Sequence, residues 1–188
     1  MTWLVLGVLL WSAFHLLPSA GAPLRARAVE RIGPAYQGVF ALAILASIGL
    51  MVLGWRSTLP AAVYTPPAWG SAAANVLVFV ALLLFAASGL TTNIKRALRH
   101  PQLTGMATWA AAHLLSNGEL RSLVLFGGLG LWAIAAILFI NRRDGAWEKP
   151  EPRPMAGEWK PLAAAIVGFT VLYLVHPYIT GVSATPHF

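Results

Sequence analysis

The chain has 188 residues, 58% hydrophobic and only 10% charged, a balance that excludes an ordinary soluble domain. Its net charge of +7 sits in the connections between apolar runs, where Lys and Arg meet anionic headgroups, so it is no nucleic-acid signal. With no cysteine there is no disulfide, no thiolate nucleophile and no Cys-ligated zinc, iron–sulfur or thiolate-haem site.

Six apolar runs follow one another, near Trp3–Ala20, Tyr36–Leu53, Ala72–Leu90, Leu103–Leu115, Leu123–Ile140 and Leu162–Ile179. A bilayer core of ~30 Å takes about 20 helical residues at 1.5 Å each. The expected fold is therefore all-α, a polytopic membrane bundle of about six transmembrane helices forming a single domain over residues 1–188. The first run has no basic segment before it and a basic connection directly after it, so it reads as a retained helix rather than a signal peptide. The fourth run is short and begins at His100-Pro101, gaining length from the headgroup region or by burial among the others. Trp55–Gly70, with three prolines, Tyr64 and Trp69, reads as an interfacial cap. Asn141–Lys160 holds Pro150, Pro152, Pro154 and four of the six acidic residues, and reads as a solvated loop. No internal repeat supports an inverted-repeat transporter.

Basic residues set the orientation. Arg25, Arg27 and Arg31 follow the first run, Lys95, Arg96 and Arg99 the third, and Arg142, Arg143, Lys149, Arg153 and Lys160 the fifth. The remaining connections carry only Arg56 and Arg121, so eleven of thirteen basic residues fall on one side. Basic loops stay cytoplasmic, which makes 141–160 a cytoplasmic loop and places both termini on the periplasmic side of a bacterial inner membrane, crossed several times.

Glu30, Glu119, Asp144, Glu148, Glu151 and Glu158 all lie in connections or at run ends. No carboxylate pair is available inside the bilayer for proton coupling, hydrolysis or a carboxylate-bridged metal. His15, His113 and His176, by contrast, lie within apolar runs, His100 lies at the cytoplasmic mouth of the fourth, and His187 is in the terminal tail. An imidazole in hydrocarbon needs an acceptor or a ligand. One alone reads as a core histidine bonded to a neighbouring helix; three in one small bundle point to a shared ligand, because helix bundles hold haem iron through imidazoles on facing helices. At 1.5 Å per residue, His15 lies ~10 Å, His113 ~18 Å and His176 ~22 Å from the cytoplasmic ends of their runs. His113 and His176 match best in depth, His15 and His113 differ by about 8 Å, and His100 pairs with none. Trp109, His113 and Asn117 are spaced to share one helix face, beside the small residues Ala110, Ala111 and Ala112 that admit a macrocycle or another backbone. The remaining tryptophans, Trp11 among them, read as an interfacial belt.

The segment from Lys95 to Gly118, with Arg99-His100-Pro101-Gln102 and Trp109-Ala110-Ala111-Ala112-His113, resembles the NnrU family of membrane proteins, linked to nitrite and nitric oxide reduction. A second match runs from His15 through Leu24-Arg25, Ile32-Gly33, Tyr36 and Phe40-Ala41. The family includes the 15-cis-zeta-carotene isomerase, and what the resemblance implies is haem b with His15 and His113 as axial ligands, His176 in reserve, and a small hydrophobic substrate as partner besides membrane lipid. His100, Arg99, Trp109 and Asn117 would complete the cofactor surroundings. The function implied is a haem protein of nitrogen-oxide metabolism (denitrification) or of another redox step. Its alternative is an enzyme, a haem-dependent cis–trans isomerase of a polyene. A third reading is a non-haem accessory protein. Arg99-His100-Pro101-x-x-x-Gly105 also resembles an element of the isoprenylcysteine carboxyl methyltransferases, which use S-adenosylmethionine, but the acidic residues of that site have no counterpart nearby.

Overall fold

In a computed structural model, residues 1–182 and 184 are described, and among them every regular element is a helix. The six apolar runs become α1 (Thr2–Leu16), α3 (Ala35–Ser57), α4 (Gly70–Gly89), α6 (Pro101–Ser116), the continuous stretch from α7 (Leu120–Ser122) through a π-turn (Leu123–Gly127) into α8 (Gly128–Asp144), and α9 (Trp159–Thr180). Two further helices lie in the basic connections, α2 (Ala22–Ile32) and the single turn α5 (Ile94–Ala97). Four helical stretches, Ala35–Ser57, Gly70–Gly89, Leu120–Asp144 and Met155–Thr180, are long and apolar enough to cross a membrane. The fold is thus a membrane helix bundle. With 15 and 16 residues, α1 and α6 fall short of that length.

Two details differ from the sequence reading. The first helix ends at Leu16 instead of running on to Ala20, because Pro18 cannot continue the ladder and the chain turns through residues 17–20. The first basic connection, read as a loop, is mostly the eleven-residue helix α2, opened by Pro23 in its first turn and closed at Gly33. Gly33 has φ +54°, a value that only glycine adopts freely, and Pro34 then starts α3.

The chain divides into two compact units, residues 1–64 with 119–145 and residues 65–118 with 146–188. In the first, α1 packs against α3 and α8. Helices α1 and α3 meet through glycines: a Cβ at Gly54 would fall on the Leu4 backbone, and one at Gly7 would come within 2.8 Å of the Ser47 carbonyl. Leu4 and Ser47 are fully buried there. On the α8 side, Gly128 receives Val8, at 2.6 Å from where its own Cβ would stand. The end of this unit that carries the N-terminus is clasped by polar groups. The terminal ammonium donates to Thr58 Oγ1 at 2.6 Å, and Arg121 pairs with Glu119 at 2.6 Å while lying 4.4 Å above the Trp55 ring.

In the second unit α4 packs antiparallel against both α6 and α9. Gly105 and Gly70 make the α4–α6 approach possible, Gly105 against the Ala81 carbonyl and Gly70 against that of Leu115. Asn93 ties the start of α5 to the proline-rich connection. Its N–H donates to Glu158 Oε1 at 2.8 Å, its side chain donates to the Arg153 carbonyl at 2.9 Å, and its Oδ1 accepts from the Arg153 N–H at 2.9 Å.

Candidate functional site

Each unit holds one Trp-x-x-x-His element in the last turn of its shortest apolar helix, Trp11–His15 on α1 and Trp109–His113 on α6. A side-chain donor can reach the carbonyl one turn back and share it with the backbone N–H that the helical ladder already places there. Both imidazoles do this to the residue four positions earlier. His15 Nδ1 lies 3.0 Å from the Trp11 carbonyl, and His113 Nδ1 lies 2.9 Å from that of Trp109. Because a carbonyl only accepts, each bond keeps the proton on Nδ1 and leaves the ring's lone pair on Nε2. The same four-residue step brings indole against imidazole, with ring centroids 4.1 Å apart in the first pair and 4.6 Å in the second.

Around His15 the first unit adds further aromatic rings. Trp132 of α8 meets it edge-on at 5.1 Å and Phe40 of α3 at 5.6 Å. Trp132 sits one turn beyond Gly128, so the close α1–α8 approach at Val8 also delivers this indole to His15. Among the described residues, the Trp11 carbonyl is the sole hydrogen-bond partner of His15. Three polar atoms in this aromatic cluster, Trp11 Nε1, Trp132 Nε1 and Tyr36 Oη, are buried with no hydrogen-bond partner. Such donors call for an acceptor, and they suit a ligand that brings oxygen atoms, such as the carboxylates of a porphyrin.

In the second unit the helix ends at Ser116, so Asn117 is an extended cap and not a third member of the Trp109–His113 face. Its amide donates to the His113 carbonyl at 2.8 Å and to Ser116 Oγ at 3.2 Å, fixing the turn that carries the imidazole. Ala110 and Ala112 are buried within the unit while Ala111 is exposed, so the small residues serve close helix packing. His176, on α9 of the same unit, lies within electrostatic range of His113. Its own Nδ1 meets the Val182 carbonyl at 2.7 Å at the end of α9, where Gly181 takes the left-handed conformation.

The mouth residues are placed differently. His100 is the N-cap of α6 with Pro101 at the first helical position, and its carbonyl accepts the Thr104 N–H at 2.9 Å. Arg99 precedes it in a bend, half-buried. The element Arg99-His100-Pro101 is thus a helix start, in keeping with the fixed φ of proline there. His187 lies outside the described residues. Among the described residues no three His, Asp or Glu side chains converge on a metal position, so any iron held here rests on one or two imidazoles and the four nitrogens of a porphyrin.

Two residues of this site escaped the sequence reading, Trp11 as ring partner and Trp132 as neighbour. The spacing of Trp11 to His15, identical to that of Trp109 to His113, was the signal available for the first. Chemically, a pinned imidazole with its lone pair on Nε2 is the arrangement metal-binding histidines adopt, the second nitrogen being held by a backbone carbonyl. The residues therefore fit a haem iron.

No curated protein and no solved structure matches the chain. The family described as NnrU protein matches over residues 3–184. With nearly all of its length matched, the chain belongs to the NnrU family.

Proposed function

We propose that this protein is an integral haem b protein of the bacterial inner membrane, in which His15 and His113 each present Nε2 to haem iron. The observation that carries this reading is the duplicated pinning of those two rings, Nδ1 to the carbonyl of a tryptophan four residues back and that residue's indole packed beside the imidazole, stacked at His15 and tilted at His113. A histidine that merely bonds the carbonyl one turn back would need neither the neighbouring indole nor the unpartnered donors of Trp11, Trp132 and Tyr36 around His15.

When bound, haem supplies one-electron chemistry at iron. The chain's own contribution is to orient the imidazoles, to hold the ring proton on Nδ1 through the bond to the carbonyl, and to surround His15 with rings that exclude water. Family membership supports a role in nitrogen-oxide respiration, and the apolar helices suit a site reached from the lipid phase. The basic connections support an orientation with both termini periplasmic.

The test is spectroscopic. Protein purified in detergent should show a Soret band, and reduction should shift and sharpen it. His15→Ala and His113→Ala should each abolish or shift that band, while His187→Ala leaves it unaltered. A colourless protein that takes up no added haemin would sink the proposal.

A further inference from the structure

We propose that α2 lies along the membrane surface and holds the phosphate of an anionic phospholipid between Arg27 and Arg31, with the lipid's apolar part along the Leu24–Ala28–Ile32 stripe. The proposal rests on the membrane placement of the chain and is independent of haem.

No residue of α2 is buried, although a third of the way around it runs an apolar row. Leu24, Ala28 and Ile32 recur every four residues and so share one face, where Leu24 is 60% and Ile32 43% exposed. An apolar stripe left uncovered to that extent on a short charged helix is the pattern of a segment lying in the headgroup region. Arg27 and Arg31 form the adjacent row, four residues apart. These five side chains alone line one surface concavity of the first unit.

Among the described residues, neither Arg27 nor Arg31 has a hydrogen bond, ion pair or ring contact. Arg25 is engaged elsewhere, 5.5 Å above the Tyr36 ring. The helix has one acidic residue, Glu30, which at 100° per residue projects about 160° away from Ala28, the middle of the stripe. Two uncommitted guanidinium forks beside an uncovered apolar row match a molecule with an anionic oxygen cluster at one end and hydrocarbon at the other. A free anion would leave the stripe exposed, and a neutral lipid would leave the forks unneutralised.

Hydrogen–deuterium exchange on the full chain in nanodiscs tests this. Amides of residues 22–32 should exchange on the order of 20-fold more slowly in discs containing phosphatidylglycerol than in pure phosphatidylcholine, given the attraction of two arginines for an anionic surface. The variant R27Q/R31Q should lose that difference and Leu24→Ser should reduce it; neither touches a buried residue, so both fold. Inorganic phosphate added to phosphatidylcholine discs should give no protection. Equal exchange in the two lipids, an undiminished difference in R27Q/R31Q, or protection by phosphate alone would each overturn the site. Amides of α3 and α8 serve as the separate readout of membrane placement: they should be protected in both lipids, and rapid exchange there would overturn that placement instead.

Discussion

The imidazole of His15 stacks on the indole of Trp11, centroids 4.1 Å apart and planes inclined by 29°, while its Nδ1 bonds that same residue's carbonyl at 3.0 Å. One neighbour thus fixes both the tilt and the protonation pattern of the ring. Replacing Trp11 by Leu keeps the carbonyl and removes the stack. Under the haem proposal, the expected result is a protein whose Soret band and electron paramagnetic resonance signals broaden and shift, with haem content reduced but not lost. Unchanged spectra would mean that the indole does not position the ligand.

Gly54 should tolerate no side chain. Its Cβ would meet the Leu4 backbone, which belongs to a packed helix and cannot swing aside as a flexible side chain would. Gly54→Ala should destabilise the protein by about 1–3 kcal/mol, the range for overpacked cores. Gly49, on the same helix, has nothing within 4 Å of its Cβ, so Gly49→Ala should be neutral or stabilising. Thermal unfolding in detergent followed by circular dichroism separates the two.

Asn93 holds the connection between α8 and α9 through bonds to Arg153 and Glu158. Asn93→Ala removes the side-chain bonds while leaving the backbone N–H. Hydrogen–deuterium exchange at the Arg153 amide, which bonds Asn93 Oδ1, should then accelerate several-fold in the folded protein, whereas Asn93→Asp, which retains the acceptor for the Arg153 N–H, should show a smaller increase. Equal exchange rates in all three would show that the proline-rich segment is held by something else.

Arg121 is placed between the Glu119 carboxylate at 2.6 Å and the Trp55 ring at 4.4 Å, with its side chain 17% exposed. Arg121→Gln should cost about 1–2 kcal/mol, more than an exposed ion pair would contribute, because the ring contact is lost as well. Glu119→Gln should cost less. A double-mutant cycle on unfolding free energies would isolate the pair.

Alkaline phosphatase fused after Phe188 should be active in whole cells, since that enzyme folds only outside the cytoplasm. A fusion within 145–154 should be inactive. The reverse pattern would invert the orientation drawn from the basic connections.

Hydropathy located all six apolar helices, since burial against lipid or protein leaves a continuous apolar run. It misplaced the end of α1: Leu16 and Leu17 are equally apolar, and only Pro18 marks where the backbone turns. It also passed over α2, where three arginines in eleven residues obscured an apolar row that is visible only at a four-residue period. His113 was found by depth and by its tryptophan, and the same spacing at Trp11–His15 was masked because a tryptophan in the first run also fits an interfacial belt. Asn117 shows the limit of helical periodicity, which continues on paper past Ser116 although the backbone does not. The π-turn at Leu123–Gly127 left no mark at all, its residues being as apolar as those on either side.

Tying Nδ1 to an amide oxygen has a price in chemistry as well as a benefit in geometry. An imidazole passes protons along a chain by receiving at one nitrogen and releasing at the other, and a peptide carbonyl can take no proton onward. His15 and His113 are therefore dead ends for proton traffic. Were the proposed haem held at Nε2, electrons could come and go there, but any hydrogen ion consumed with them would have to arrive by a route that bypasses both rings.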